Sequence, residues 1–330
     1  MSKSKTALIT GGAGFIGSHM VDLLLTQGYG VRVIDNLTGG QEANLSHHKE
    51  TDNLDLDTRD IRDVSSRDSI FKDISIIIHF AGIGDIVPSI EKPADYMSTN
   101  VIGTVSMLEG AREARVQKFV YAASSSCYGL ADTPTSEQHP IGPQYPYALS
   151  KYMGERAAFH WHDVYDLPVN SIRIFNAYGP RVRTTGAYGA VFGVFFKQKL
   201  EKMPFTVVGD GSQTRDFIYV TDVAEAFRLA AETDLTGRTY NVGAGNPQSV
   251  NRLVELLEGE VVYLPKRPGE PDCTWANISA IVSELNWAAK VPFEQGVELM
   301  VKDIEHWRDA PLWDPKSIEK ATRSWFEALS

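Results

Sequence analysis

The sequence predicts an α/β fold, a doubly wound parallel sheet that leads into a smaller α/β C-terminal domain. Three observations carry this expectation. Short β-branched runs alternate with helical stretches over the first half of the chain. A glycine triplet, Gly11, Gly14 and Gly17, follows the first of those runs directly. A carboxylate, Asp35, closes the second run.

Taken in order, Thr6-Ala-Leu-Ile-Thr10 reads as a buried parallel strand, and Gly11 to Gly17 opens a helix that stops at Gly28. Glycines at that spacing permit a tight turn and close approach of backbone to a pyrophosphate, while the helix N-terminus attracts the anion; Phe15 and Ile16 belong to the same turn. Val31-Arg-Val-Ile-Asp35 is the second strand. A carboxylate at its end suits the ribose hydroxyls of an adenosine and repels a 2′-phosphate, which favours NAD over NADP and makes this a Rossmann-type sheet. Asn53 to Asp57 alternates as a third strand, and Asp60 and Ile61 follow it where an adenine could be gripped. The fourth strand runs from Ser75 into Phe80-Ala81-Gly82, with His79 read as a packed strand-end side chain. Residues 83–93 read as a loop over a ligand, with Ser89 as a contact, and 96–115 as an amphipathic helix carrying Asn100.

Lys118 to Ala123 is the fifth strand, and Ser124, at its carboxyl end, lies where ligands of doubly wound sheets sit. Tyr147 and Lys151, four apart, fall on one helix face, so the ammonium is expected near the phenol, favouring its ionised form and making it usable as a base. Val169 to Phe175 is a sixth strand. Beyond it the alternation weakens. The segment 181–193 reads as ligand-wrapping, strands are expected at 205–208 and 240–243, and 266–270 is a basic, proline-held turn. Trp287, Trp307, Trp313 and Trp325 read as packing residues, and His47 and His48 as surface residues.

Composition narrows the function. At 43% hydrophobic and 22% charged over 330 residues, the chain has the make-up of a soluble globular protein. Its net charge of −10 argues against nucleic acid as the main partner and leaves a small molecule. Cys127 and Cys273 form no metal-binding spacing, so no metal is expected, and a reducing compartment is the simplest setting. No signal-peptide core or membrane-spanning run is seen, which predicts a cytoplasmic protein.

These motifs, in this order, resemble the extended short-chain dehydrogenase/reductase superfamily, and within it the nucleotide-sugar 4-epimerases that act on UDP-glucose or UDP-N-acetylglucosamine. The resemblance rests on Thr10 to Gly17, Asp35-Asn36, His79 to Gly82, Asn100 to Thr104, Ser124 to Gly129, Tyr147 to Lys151, Arg173 to Pro180, Arg215 to Val220 and Arg267 to Glu270. It implies an NAD-binding domain at 1–175 with roughly 214–243, and a nucleotide-sugar domain at 176–213 and 244–330. It implies that Tyr147 removes the proton from the sugar 4-hydroxyl, that Lys151 binds the nicotinamide ribose, and that Ser124 hydrogen-bonds the reacting oxygen, with Ser125 and Ser126 beside it. Asn36, Phe80, Ala81, Gly82 and Asn100 would contact NAD; Asn176, Arg215 and Arg267 would hold the nucleotide and its diphosphate.

Two departures refine the expectation. The 4,6-dehydratases of the superfamily carry an acid where this chain has Ser126, so dehydration by that route is disfavoured. The position that gates substrate size in 4-epimerases is Thr274, small enough to imply room for a 2-acetamido group. A 4,6-dehydratase or decarboxylase, and a non-catalytic NAD-binding sensor, remain the alternatives. The helices near 96–115 and 147–165 are expected to form a homodimer. Surface-polysaccharide precursor synthesis is the setting the resemblance suggests, with the sugar and the base left open.

Overall fold

The computed structural model describes residues 5–184 and 191–329, so residues 185–190 of the expected ligand-wrapping segment lie outside the described residues. Its centre is a seven-stranded parallel sheet. Six strands are β1 (Thr6–Thr10), β2 (Gly30–Ile34), β3 (Leu54–Asp57), β4 (Ile76–His79), β5 (Lys118–Ser124) and β6 (Val169–Ile174). With the strand Arg238–Val242 at one edge, the order runs Arg238–Val242, β6, β5, β4, β1, β2, β3.

The strands read as continuous apolar runs because both faces are covered. Along β4, Ile76 and Ile78 join one core and Ile77 the other; along β5, Val120 and Ala122 face one side while Phe119, Tyr121 and Ala123 face the opposite. The first core is closed by Met20, Val21 and Leu24 of the Phe15–Thr26 helix and by Val223, Phe227 and Ala230 of the Val220–Glu232 helix. The second is closed by Met107, Leu108 and Ala111 of the Thr104–Ala114 helix and by Ala158 of the Pro146–Tyr165 helix.

The strand order reverses between β1 and β4, which opens a crevice at their carboxyl ends. Thr10 and His79, register partners across this point, are joined by a 2.7 Å hydrogen bond between Thr10 Oγ1 and His79 Nδ1, and His79 Nε2 lies 2.9 Å from Thr104 Oγ1. Complete burial drives the His79 pKa down to about 3, so the ring is neutral and structural, as expected from the sequence.

A separate aromatic core lies outside the sheet. Tyr178, Phe192, Phe195, Phe196, Phe205, Phe217, Phe293 and Trp307 pack together there, from strands and helices between 176 and 310. One element differs from the expectation: Ile86–Glu91 is a helix rather than loop. The expected helix 96–115 is present and starts earlier, running without interruption from Pro93–Met97 through a wide π turn at Ser98–Gly103 into Thr104–Ala114. The π turn lies at two close crossings. A Cβ on Gly103 would lie 2.5 Å from the Ile61 side chain, and a Cβ on Gly154 would lie 2.8 Å from the Asn100 carbonyl, so the π turn runs where neighbouring elements press closely on it. Among the described residues no helix is long and apolar enough to cross a membrane.

Candidate active site

The glycine turn after β1 is tighter than its spacing alone requires. Gly11 has φ +69°, and a Cβ there would stand 2.8 Å from the Ala81 amide; a Cβ on Gly17 would meet the Gly11 carbonyl at 2.1 Å. Gly14 precedes the Phe15–Thr26 helix without a capping side chain, leaving the helix N-terminus to an anion. Asp35 follows β2, and its carboxylate accepts from the amides of Ala13 (3.0 Å) and Leu37 (2.9 Å), fixing the acid against the turn. Burial pushes its pKa up, and those amides pull it back. Asn36 donates to Asp60, which in turn binds Arg62, while Ile61 is buried against Gly103. This cradle fits the adenosine and pyrophosphate of a dinucleotide.

Asn100 is buried in a hydrogen-bonded network. Its side-chain oxygen accepts from the Ile83 amide at 2.8 Å, and its amide donates to the Ile83 carbonyl and to Ser150 Oγ. Those bonds tie the loop after Gly82 to the Tyr147 helix, so its side chain acts as a brace. Ser89 is completely buried, with its hydroxyl donated to the Ile86 carbonyl, and it does not line the cavity described next.

A cavity of about 520 Å³ opens beyond the carboxyl ends of the strands. Ser124, Ser125, Ser126, Tyr147, Asn176, Arg215, Arg267 and Thr274, dispersed in sequence, all line it. Ser124 Oγ lies 2.8 Å from Ser126 Oγ. Tyr147 sits in the first turn of its helix, where burial raises its pKa and the Ser124 hydroxyl lowers it. Lys151 is one turn on and buried, which brings its pKa down to about 8 against the pull of Glu155. Its ammonium lies 4.8 Å from the Tyr121 ring centroid, and 3.8 Å from where a Cβ on Gly82 would stand. The influences on the Tyr147 phenol in this geometry are burial, Asp85 and Cys127, which raise its pKa, and the Ser124 hydroxyl, which lowers it.

The opposite wall carries charge. Arg215 donates to Glu270 at 2.8 Å, and Arg267 approaches the other oxygen of the same carboxylate at 3.7 Å. Thr274 donates to Asn176 Oδ1 at 2.7 Å and accepts from the Asp216 amide, so its side chain is held in place against Asn176. Asp216, completely buried, accepts from the amides of Gly245 and Ala276 and carries a pKa raised to about 6 by burial.

Several lining residues escape sequence reasoning. Tyr145 stacks nearly parallel to Tyr147 at 6.4 Å and meets Trp325 at 6.1 Å. Trp325, expected to be packing only, lines the cavity, donates to the Pro268 carbonyl and lies 5.8 Å beneath the Arg267 guanidinium. Trp287 and Trp307 are packing residues as expected. Cys127 is buried, its thiol pushed up to about 12, which suits a packed side chain. His47 and His48 both lie within hydrogen-bonding distance of Asp22, which also pairs with Arg181.

Comparison with known proteins agrees with this geometry. The sequence model of the GDP-mannose 4,6-dehydratase family matches residues 8–300. A putative UDP-glucose 4-epimerase of Methanocaldococcus jannaschii is 35% identical over 302 residues, covering 89% of this chain and 96% of the relative. The Bacillus cereus UDP-glucuronic acid 4-epimerase, solved with UDP-glucuronic acid and NAD, superposes with a TM-score of 0.85 at 30% identity, over 91% of this chain and 99% of its own. A UDP-N-acetylglucosamine 4-epimerase from Methanobrevibacter ruminantium, solved with UDP-N-acetylmuramic acid, gives a TM-score of 0.85 at 31% identity with the same coverage. With its reversed strand order, its glycine cradle and its serine–tyrosine–lysine set, the chain belongs to the GDP-mannose 4,6-dehydratase family of extended short-chain dehydrogenases/reductases.

Proposed function

We propose that this protein is an NAD-dependent nucleotide-sugar 4-epimerase. The observation that carries the reading is the meeting of Ser124, Tyr147 and the Arg215–Arg267 pair on one cavity, with Lys151 one helical turn behind the phenol. Gly11, Gly14, Phe15, Ile16, Gly17, Asp35 and Asn36 would hold the adenosine and pyrophosphate, and Phe80, Ala81, Gly82 and Lys151 the nicotinamide half. Bound NAD supplies a reversible hydride acceptor at C4. Tyr147 takes the proton of the 4-hydroxyl and later returns it, Ser124 hydrogen-bonds the reacting oxygen, and the 4-keto sugar turns over in the cavity so that hydride returns to its opposite face. Arg215 and Arg267 hold the diphosphate of a UDP-sugar as forked donors, and the side chain of Thr274 leaves room for a 2-acetamido group. Ser126, bonded to Ser124, offers no carboxylate for a dehydratase step.

The separate aromatic core, which apart from Phe217 and Tyr219 draws its aromatic side chains mainly from 176–213 and 244–330, supports a division into a cofactor domain, 1–175 with roughly 214–243, and a nucleotide-sugar domain, 176–213 with 244–330. We read the enzyme as cytoplasmic, supplying precursors for surface polysaccharide. A homodimer is supported by exposed apolar side chains on the expected interface helices: Ile102 at 60%, Leu149 at 39% and Met153 at 42% exposure. Light scattering that returned a monomer would remove that part of the reading. The chemistry is tested by incubating purified protein with UDP-, GDP- and CDP-sugars, without added cofactor, and following each by NMR. Interconversion of a C4 pair without net NADH is the expected result; loss of water or carbon dioxide would make the enzyme a lyase instead.

A further inference from the structure

Asp85 carries a feature that the epimerase reading does not use. It stands immediately before the Ile86–Glu91 helix, with the extended backbone of an N-cap residue (φ −79°, ψ 135°), the place where an aspartate ordinarily turns back to accept from the helix amides. It makes no such bond. Its residue lines the cavity instead, together with Ser124 and Tyr147. Among the described lining residues the charged side chains are Asp85, Arg215, Arg267 and Glu270. The last three engage one another, which leaves Asp85 as the charge outside that cluster.

The surroundings place this carboxylate at the reacting end. Its field opposes ionisation of both Tyr147 and Tyr96, whose rings meet edge-on at 6.4 Å. Burial raises its own pKa, and the Arg183 guanidinium opposes that rise. Gly84, just before it, borders the same cavity and has open space where a side chain would project. A ligand edge therefore has room beside Asp85, and meets an acceptor there.

We infer that Asp85 is a specificity-determining residue: it admits sugars that present a hydrogen-bond donor, a hydroxyl or an ammonium, to this edge, and it rejects sugars that present a carboxylate. The inference rests on the reading of the cavity as a nucleotide-sugar site. Its physical content is a difference in affinities. A neutral hexose donates to the carboxylate, whereas a uronate places like charges together in a poorly solvated space. Neutral and amino sugars are thus the substrate class, and uronic acids are excluded even though a structural relative with the same fold was solved with one.

Calorimetric titration at pH 8 of the full-length protein with UDP, UDP-glucose, UDP-N-acetylglucosamine and UDP-glucuronate tests this, using wild type and Asp85→Asn. In wild type, UDP-glucuronate is expected to bind at least about tenfold more weakly than the better neutral sugar. Asp85→Asn should close that gap by gaining affinity for the uronate, while UDP itself binds both proteins alike. A gain of binding cannot come from misfolding. Equal binding of uronate and neutral sugar by wild type overturns the inference and leaves the epimerase reading standing. So does a gap that persists in Asp85→Asn. Failure of UDP to bind at all overturns the nucleotide-sugar reading, and this inference with it.

Discussion

The chemistry at single residues is set by opposing influences on Tyr147 and Lys151. Burial works against the phenolate, and the Ser124 hydroxyl works for it. Replacing Ser124 by Ala removes the favourable influence, so the phenol becomes harder to ionise. The pH–rate profile of that variant should move toward alkaline pH, with turnover at neutral pH falling about 10²-fold or more. An unmoved profile would mean that Ser124 does not act on the base. Lys151 works in the other direction. Its pKa, brought from the ordinary 10.5 to about 8, keeps the ammonium charged below that point and lets it discharge above. If its charge holds the nicotinamide ribose, affinity for NAD measured on cofactor-stripped protein should weaken as pH rises through about 8, and Lys151→Met should abolish that dependence. Affinity that stays flat from pH 7 to 9 in the wild type would show that the charge is not what binds.

At the scale of elements, what holds the catalytic strand end in place is a buried polar network behind it. Arg173 of β6 donates to both oxygens of Glu155 on the Pro146–Tyr165 helix, to the Tyr128 hydroxyl and to the Glu137 carbonyl. The Tyr128 hydroxyl donates in turn to Asn241 Oδ1 at 2.7 Å, and Ser171 donates to Glu155. The two ionised partners are 1% and 6% exposed, so neither can be left alone at low cost. Arg173→Leu should destabilise the protein by about 3–5 kcal/mol in urea unfolding, because Glu155 becomes an uncompensated buried charge. Arg173→Leu combined with Glu155→Leu should recover much of that loss. A single variant with near-wild-type stability would deny the network its structural role. Much of this level was legible from sequence, because parallel strands buried on both faces declare themselves as apolar runs and the glycine turn, Asp35, Ser124 and Tyr147 sit at fixed places relative to them. What was not legible depends on approach between elements. The π turn within the 96–115 helix lies at the crowded crossings of Gly103 and Gly154, and the bracing by Asn100 follows from its reach to Ile83 and Ser150. No local pattern marks either. Tyr145, Asp85 and Glu270 belong to segments distant in sequence, and only the folded chain brings them to one cavity.

At the scale of the whole molecule, the cavity is closed by the far end of the chain. The Pro315–Leu329 helix delivers Trp325, 7% exposed, to the wall that also carries Arg267. Its indole donates to the Pro268 carbonyl at 2.8 Å, holding the proline turn, and its ring lies 5.8 Å from the guanidinium that is proposed to grip the diphosphate. The same ring meets Tyr145, which stacks on Tyr147, so one row of aromatic side chains connects the C-terminal helix to the phenol. The helix is fastened to the sheet side as well, since Ser324 donates to Glu91 at the end of the Ile86–Glu91 helix. Two functions can therefore be separated. Removing the indole takes away the stacking partner of Arg267 and its hydrogen bond to the turn, yet leaves Ser124, Tyr147 and Lys151 where they are. Trp325→Ala should raise the dissociation constant for UDP about 10- to 30-fold, the size of one buried cation–π contact together with one hydrogen bond. Turnover at saturating nucleotide sugar should change by less than about threefold, because the lost interaction is equally present in ground and transition states. A fall in turnover with UDP affinity intact would reverse the assignment, making the aromatic row a support for Tyr147 instead of a clamp on the nucleotide.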